Sequence, residues 1–213
     1  MTVLITGANR GIGRALFDLY SAKGDAVLGT ARDGTAGMLA LDVTDPQSVA
    51  GLARAVKGPL HLLICNAGIL PASGDALDTG YAPADWAAGF ATNVTGVFLC
   101  IQALLPQLRA VHGKIAIISS SMGSDARAPG GSYIYRASKA AVLNLGRNLA
   151  VDLSADGVAV GIYHPGWVQT DMGGVDADIT VAQSANGLAA RFAALSLATT
   201  GCFEDHTGHA VPF

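Results

Sequence analysis

The chain has 213 residues, 51% of them hydrophobic and 14% charged, which is enough to bury a sizeable core and does not fit a disordered protein. The net charge of -3 provides no basic field for nucleic acid or an anionic membrane. Cys65, Cys100 and Cys202 lie at unrelated spacings among apolar neighbours, so we expect buried free thiols and a reducing, cytoplasmic location.

The first predicted element is an apolar strand at residues 3–5, which leads through a glycine turn into helical sequence at 14–20. The N-terminus lacks the basic region of a signal peptide, so we expect a strand of the fold there. Gly7, Gly11 and Gly13 allow a tight turn, and the helix N-terminus directs unpaired N–H groups towards an anion. A dinucleotide pyrophosphate is the natural ligand, and a purely structural turn is the alternative. The spacing Gly-x3-Gly-x-Gly differs from both the common dinucleotide fingerprint and the P-loop.

The tip of the second predicted strand, residues 26–32, bears on the choice of cofactor. A site selective for NAD carries an acidic residue there, which holds the ribose hydroxyl and repels a 2'-phosphate. This chain has Arg32 at the tip and Arg10 in the glycine turn, and two guanidinium groups can bind one phosphate. Asp33 follows directly, so NADP(H) is preferred and NAD(H) is the alternative.

After a third predicted strand at residues 38–43 come a buried strand at 60–65 and a long apolar helix at 88–108. The helix is long enough to raise the question of a membrane span, but Asn93 and other polar residues in it favour a buried helix. Phe98 and Leu105 give this helix a second apolar face, which suggests packing against another subunit.

The fifth predicted strand, residues 114–118, ends in Ser119-Ser120-Ser121, and a helical segment then places Tyr135 and Lys139 one turn apart. Ligands of parallel sheets bind at this carboxyl edge. We expect the Lys139 ammonium to lower the pKa of Tyr135 from its usual value of about 10, so that the phenol can transfer a proton. A surface helix that happens to carry both residues is the alternative.

A sixth strand at residues 158–163, a helix at 180–195 and a last strand around 209–212 complete the pattern. No linker or internal repeat interrupts it. The alternation of strands and helices predicts one α/β domain over residues 1–213. Its expected form is a doubly wound Rossmann fold, with helices on both faces of a parallel sheet of strand order 3-2-1-4-5-6-7.

Taken in order, these stretches resemble the classical short-chain dehydrogenase/reductase family over nearly the whole chain. Thr6-Gly7-x3-Gly11-Ile12-Gly13 is similar to the family's cofactor turn, and Asp42-Val43 is similar to its adenine contact. Asn66-Ala67-Gly68 is similar to the segment that steadies the central sheet beside the cofactor. The nicotinamide-contacting loop of the family falls on Pro165, Gly166, Val168 and Thr170. Within the family, Asn9, Arg10, Arg32 and the motif from Tyr135 to Lys139 resemble NADP-preferring carbonyl reductases of the sniffer-like and C-factor-like branch.

The resemblance implies an NADP-dependent oxidoreductase that transfers a hydride between the nicotinamide and a carbonyl or secondary alcohol substrate. Its catalytic residues would be Asn93, Ser120, Tyr135 and Lys139, of which Tyr135 and Lys139 would also contact the cofactor. Tyr135 would act as general acid/base, Ser120 would hold the carbonyl oxygen, Lys139 would bind the ribose hydroxyls and Asn93 would hold a water. We expect no metal, nucleic-acid or membrane partner, and a homodimer or homotetramer. A catalytically silent nucleotide-binding regulatory or scaffold protein is the alternative.

Three features depart from the family pattern. The interval from Ser120 to Tyr135 is a couple of residues longer than usual, and Ser121 is an alternative to Ser120 as the substrate-facing serine. His164 stands where Asn or Ser is more usual. The segment between residues 172 and 180 is short, so we expect an open and undemanding substrate pocket.

Overall fold

The computed structural model describes residues 1–72 and 74–213, and its strands form one seven-stranded sheet. The spatial order is β3-β2-β1-β4-β5-β6-β7, and every neighbouring pair is parallel. The predicted fold class and strand order are therefore confirmed. The strands are β1 (Thr2–Ile5), β2 (Ala26–Ala31), β3 (Leu39–Ala40), β4 (Leu62–Cys65), β5 (Lys114–Ile118), β6 (Ala159–His164) and β7 (Phe203–Asp205).

Helices connect these strands on both faces of the sheet. They are α1 (Gly11–Ala22), α2 (Pro46–Ala55), α3 (Pro83–Phe90), α4 (Gly96–Arg109), α5 (Tyr133–Ser154) and α6 (Val181–Ala194). A π-helical turn, Ala91–Thr95, joins α3 to α4. Short 3-10 turns lie at Thr35–Gly37, Ser121–Gly123 and Leu197–Thr199.

The core has two halves because successive strand side chains point to opposite faces of the sheet. In β1, Leu4 packs on the face covered by α2, α4 and α5, whereas Val3 and Ile5 pack on the face covered by α1 and α6. The same alternation holds in β4 and β5, where every residue from Leu62 to Cys65 is buried. This two-sided burial explains why the central strands read as continuous apolar runs.

Among the described residues, one helical segment, Pro83–Arg109, is long and apolar enough to cross a membrane by length and composition. In the fold, α4 lays an apolar stripe against the sheet, with Ile101, Leu104 and Leu108 almost fully buried. Phe98 lies on the other face and is 38% exposed. The segment is thus a core helix with one covered and one uncovered apolar face, as its two-sided sequence pattern indicates.

Two predicted strands differ from the observed ones. The third strand was expected to continue to residue 43, but it ends early because the backbone N–H of Asp42 donates to Ser48 Oγ at 3.0 Å instead of to the sheet. The last strand was expected around residues 209–212, but β7 lies at Phe203–Asp205. The later segment folds back on β7, where Val211 N–H donates to the Phe203 carbonyl at 2.9 Å. Phe203 is the better partner for β6 because its side chain is buried in the core.

Candidate active site

The turn after β1 has the backbone geometry of a phosphate cradle. Gly7 and Gly11 have φ values of 65° and 55°, a region that favours glycine. A Cβ at Gly13 would lie 2.2 Å from the Gly7 carbonyl oxygen and 2.5 Å from Asn66 Nδ2, so only glycine fits where α1 meets β1 and β4. Arg10 occupies the N-cap of α1 without a side-chain cap hydrogen bond, which leaves the first N–H groups of the helix available to an anion.

A hydrogen-bond network joins the ends of β1 and β4 next to this turn. Asn66 Nδ2 donates to the carbonyls of Thr6 and Gly7, both at 3.0 Å. Thr6 Oγ1 accepts from the backbone N–H groups of Asn66 and Ala67, again at 3.0 Å. The predicted segment from Asn66 to Gly68 is therefore placed to hold the shape of the glycine turn.

The tip of β2 carries exposed charges whose partners differ. Asp33 Oδ1 accepts from the backbone N–H and hydroxyl of Thr35 at 3.2 and 2.9 Å, and these hydrogen bonds lower the pKa of Asp33. Asp42, which follows β3 and is half-buried, accepts hydrogen bonds from Thr44 in the same way, and these lower its pKa as well. The Asp33 carboxylate is thus hydrogen-bonded within its own turn, and Arg32 is exposed beside it.

The serine run after β5 divides its side chains between two tasks. Ser119 is 1% exposed, and its Oγ donates to the Lys139 carbonyl at 3.0 Å, which fastens β5 to α5. Ser120 Oγ accepts from the Met122 N–H at 3.1 Å, and its interaction with the Tyr135 phenol lowers the pKa of Tyr135. Ser121 begins the 3-10 turn that follows. Ser120 is therefore the serine that faces Tyr135.

Tyr135 and Lys139 share one face of α5, as their spacing predicts. Lys139 Nζ lies 5.5 Å from the centroid of the Tyr135 ring and donates to the Ile118 carbonyl at 2.9 Å. The pKa of Tyr135 nevertheless lies above its ordinary value in this structure, not below it as the neighbouring ammonium led us to expect. Burial raises the pKa of Tyr135 to about 12, and only the Ser120 hydrogen bond opposes that rise. Burial also lowers the pKa of Lys139 to about 8.

Asn93 lies in the π-helical turn and is fully buried. Its Oδ1 accepts from the Ile69 N–H at 2.9 Å, while Nδ2 donates to the Ile69 carbonyl at 2.9 Å and to Ser138 Oγ at 3.0 Å. Ser138 Oγ in turn donates to the Tyr135 carbonyl at 2.9 Å. The side chain of Asn93 therefore joins α5 to the segment after β4, and its amide group is already occupied.

The loop after β6 lies on the other side of the glycine turn. Ser184 of α6 donates to the Pro165 carbonyl at 2.7 Å, and Val168 is buried and pairs with Ile179. The methyl group of Thr170 would lie 3.5 Å from a Cβ at Gly11, so this loop rests on the glycine turn. Arg10 of that turn forms an ion pair with Asp171 across the same gap.

Gly166 and His164 complete this side of the site. Gly166 has a φ of 88°, and a Cβ there would lie 2.6 Å from Ile179. Burial lowers the pKa of His164 to about 4, so the imidazole is neutral at pH 7. No group of three or more His, Cys, Asp or Glu side chains in residues 1–72 and 74–213 could hold a metal ion.

The structure thus places most of the predicted residues in one region at the carboxyl edge of the sheet. Asn9 and Arg32 are exposed at its rim, and Val43 is buried beside it. Sequence reasoning missed Ser138 and Ser184, two buried serines whose hydrogen bonds hold the Tyr135 turn and the Pro165 loop. A small polar residue inside the apolar stripe of a helix is the signal that could have found both.

A family model described as short chain dehydrogenase matches residues 1–178. The chain belongs to the short-chain dehydrogenase family. The resemblance stated from the motifs is confirmed, and as a short-chain dehydrogenase the protein is an oxidoreductase. The roles of its individual residues stay predictions.

Three relatives show where this short-chain dehydrogenase is situated in its family. The C-signal protein of Myxococcus xanthus is 39% identical over 158 residues, which span 73% of this chain and 94% of the relative. The NADPH-bound carbonyl reductase from chicken fatty liver has a TM-score of 0.91 and 31% identity, over 100% of this chain and 98% of that chain. Carbonyl reductase Sniffer of D. melanogaster has a TM-score of 0.93 and 26% identity, over 100% and 99%. The predicted likeness to sniffer-like carbonyl reductases is confirmed.

Proposed function

We propose that this short-chain dehydrogenase is an NADP-dependent carbonyl reductase that converts an aldehyde or ketone into the alcohol, with Tyr135 as the proton donor. One observation carries the proposal. Ser120 and Lys139 reach Tyr135 from two different elements, at the sheet edge where the glycine turn also lies. The carbonyl reductase relatives support the same reaction class, since both cover the whole of this chain.

The residues around the glycine turn fit a dinucleotide. The uncapped N-terminus of α1, at the end of the glycine turn, suits a pyrophosphate held by backbone N–H groups. Arg32 is exposed at the rim and can supply a guanidinium group to a 2'-phosphate, which favours NADP(H) over NAD(H). Arg10 would join it by exchanging the Asp171 carboxylate for the phosphate. Asp42, Val43 and the loop from Pro165 to Thr170 would contact the two ends of the cofactor.

The proton-transfer step follows from the protonation states in the site. Ser120 Oγ accepts from Met122, so its own hydroxyl proton can be donated either to the Tyr135 oxygen or to a carbonyl oxygen bound beside it. With its pKa near 12, Tyr135 is neutral at pH 7 and can donate its proton to that oxygen. The bound cofactor supplies the hydride that the carbonyl carbon receives. Lys139 stabilises the phenolate left on Tyr135, because its ammonium lies beside the ring.

In this proposal Asn93 still holds the water through which the proton is replaced, but with a different group from its side-chain amide. Its side-chain amide is engaged by Ile69 and Ser138, so a water would bind to the backbone carbonyl rather than to the amide. The π-helical turn makes this possible because it shifts carbonyl groups out of the regular α-helical pattern. Ser120, and not Ser121, is the substrate-facing serine in this proposal.

We also propose a single domain over residues 1–213, a cytoplasmic location and a homodimer or homotetramer. All seven strands join one sheet, which supports the single domain. The exposed Phe98 of α4 and Val151 of α5, 38% and 76% exposed, support subunit contacts through these helices. Two of the three thiols, Cys65 and Cys100, are free and buried, which suits a reducing compartment.

The deciding experiment compares Tyr135→Phe with Tyr133→Phe, a control two residues earlier on the exposed side of α5. NADPH and NADH consumption is measured with a panel of aldehydes, ketones and quinones, and NADPH binding is measured by fluorescence. We expect Tyr135→Phe to bind NADPH normally and to lose turnover, while Tyr133→Phe keeps it. Full turnover in Tyr135→Phe would rule out the proposed proton donor. A wild-type protein that binds NADPH and reduces no carbonyl would favour the catalytically silent alternative.

A further inference from the structure

The middle of the loop between Ser120 and Tyr135 has little burial to fix its conformation, whereas Gly123 and Ser124 before it are buried. Residues 125–131 are exposed one after another. The chain then enters α5 through three left-handed residues, Gly130, Gly131 and Ser132, with φ values of 89°, 69° and 46°. A Cβ at either glycine would meet nothing within 4 Å. The loop therefore depends on hydrogen bonds for its position.

Arg136, the residue after Tyr135, supplies several of these bonds. Its Nε donates to the Gly131 carbonyl at 3.1 Å, and its Nη1 donates to the carbonyls of Arg127 at 3.2 Å and Met122 at 3.5 Å. These acceptors lie at the end, the middle and the start of the loop. A planar guanidinium can serve several acceptors at once, which a lysine ammonium on a flexible stem does less well.

The exposed segment 125–131 also makes a backbone hydrogen bond to the C-terminal end of the described chain. Ala126 N–H donates to the Phe213 carbonyl at 3.2 Å, and the Phe213 ring lies 4.0 Å below the Arg147 guanidinium. No carboxylate in residues 1–72 and 74–213 forms an ion pair with Arg136. The charge of Arg136 is thus directed to the loop carbonyls rather than to another side chain.

We propose that Arg136 is a positioning residue for the carbonyl substrate. By holding the exposed residues 125–131, it fixes one wall of the pocket between Ser120 and Tyr135. The inference rests on the proposed function, because it takes the carbonyl to bind between these two residues. Tyr135 is fixed by α5 itself, so loss of the Arg136 guanidinium affects substrate affinity far more than the rate of the bound complex.

The test compares Arg136→Gln and Arg136→Lys with Arg54→Gln, which removes an exposed guanidinium on α2. Limited trypsin digestion reports loop opening, because Arg127 offers a cleavage site in the exposed loop. We expect Arg136→Gln to be cut after Arg127 about tenfold faster and to show a KM for the carbonyl about tenfold higher, the effect of losing one charged hydrogen bond. Its kcat should stay within about threefold of the wild type, and NADPH binding should not change. The cleavage rate and KM of Arg136→Lys should lie between those of the wild type and Arg136→Gln, and Arg54→Gln should behave as wild type.

Cleavage of Arg136→Gln at the wild-type rate would overturn the inference, and so would a fall in kcat with KM unchanged. Thermal unfolding checks that each variant folds. If Arg136→Gln does not fold, the cleavage rate of Arg136→Lys decides the test. A wild type that reduces no carbonyl would defeat the proposed function and the substrate part of the inference. The digestion still decides whether Arg136 holds the loop, so the two failures can be told apart.

Discussion

Replacing Lys139 with methionine is expected to stabilise the fold while it abolishes turnover. Lys139 is 5% exposed, and burial lowers its pKa from 10.5 to about 8. At about 1.4 kcal/mol per pKa unit, keeping the ammonium in this site costs about 3 kcal/mol of folding free energy at neutral pH. The variant leaves the Ile118 carbonyl without its donor, which offsets about 1–2 kcal/mol of that gain. The net gain of about 1–2 kcal/mol should raise the midpoint of thermal unfolding by about 2–8 °C.

The pH dependence of the unfolding free energy provides a second, independent test of the same reasoning. Below pH 8, Lys139 is charged in both the folded and the unfolded chain, so its destabilising effect is fully present there. Between pH 8 and 10.5, the unfolded chain keeps a proton that the folded chain has released, so the stability contributed by this group rises with pH. Lys139→Met lacks this contribution, and its advantage over the wild type should shrink as the pH rises through this window.

Urea unfolding at pH 7 and pH 9.5 measures both effects, and NADPH oxidation with a carbonyl measures turnover. Lys57→Met, which removes an exposed lysine, is the matched control and should change stability by less than about 0.5 kcal/mol. The raised pKa values of Cys65 and Cys100 affect stability at alkaline pH in both the variant and the wild type. Their contribution therefore cancels in the difference between the two unfolding free energies. A Lys139→Met protein that is less stable than the wild type at pH 7, or whose advantage does not shrink with pH, would refute the reasoning.

Arg32→Ala should raise the KM for NADPH about tenfold and leave the KM for NADH unchanged, since a charged hydrogen bond to the 2'-phosphate is lost. Equal changes with both cofactors would contradict this role. Gly13→Ala should abolish NADPH binding in a calorimetric titration, because its Cβ would lie 2.2 Å from the Gly7 carbonyl. Its control, Gly51→Ala in α2, has no atom closer than 3.9 Å and should bind NADPH while gaining about 0.5–1 kcal/mol of stability. The kcat/KM for carbonyl reduction should be flat from pH 6 to about 7 and fall as Lys139 loses its proton near pH 8; a fall with an apparent pKa near 6 would point to another group.

Much of the fold could be predicted because its signals are local. The strands of the central sheet are buried on both faces and therefore read as apolar runs, and the glycines of the first turn fix both its geometry and its place before α1. The strand ends were harder, since they depend on contacts between distant residues. Ser48 removes the Asp42 N–H from the sheet edge, and the buried Phe203 displaces residues 209–212 as the partner of β6.

In the candidate site, too, the local features could be predicted and those that depend on distant contacts could not. The spacing of Tyr135 and Lys139 on one helix face was sufficient to place them together. Their pKa values depend on how deeply the completed fold buries the two side chains, and the spacing of two residues in the sequence does not reveal that depth. The surroundings of the serine run likewise depend on the path of the chain after β5, where Ser119 turns inward to Lys139 and Ser120 lies beside the Tyr135 phenol.

Burial of the Tyr135 and Lys139 pair also bears on the direction of the reaction. Both pKa shifts favour the neutral forms, because neither charge is well hydrated in the site. At pH 7 the phenol keeps its proton, so the resting site is ready to protonate a carbonyl oxygen and poorly prepared to take a proton from an alcohol. When Tyr135 gives up its proton, a phenolate forms beside the ammonium, and a pair of opposite charges replaces a lone buried cation. Burial by itself disfavours that phenolate, as the raised pKa of Tyr135 shows, so we expect proton transfer to a carbonyl to depend on the Lys139 charge beside the ring.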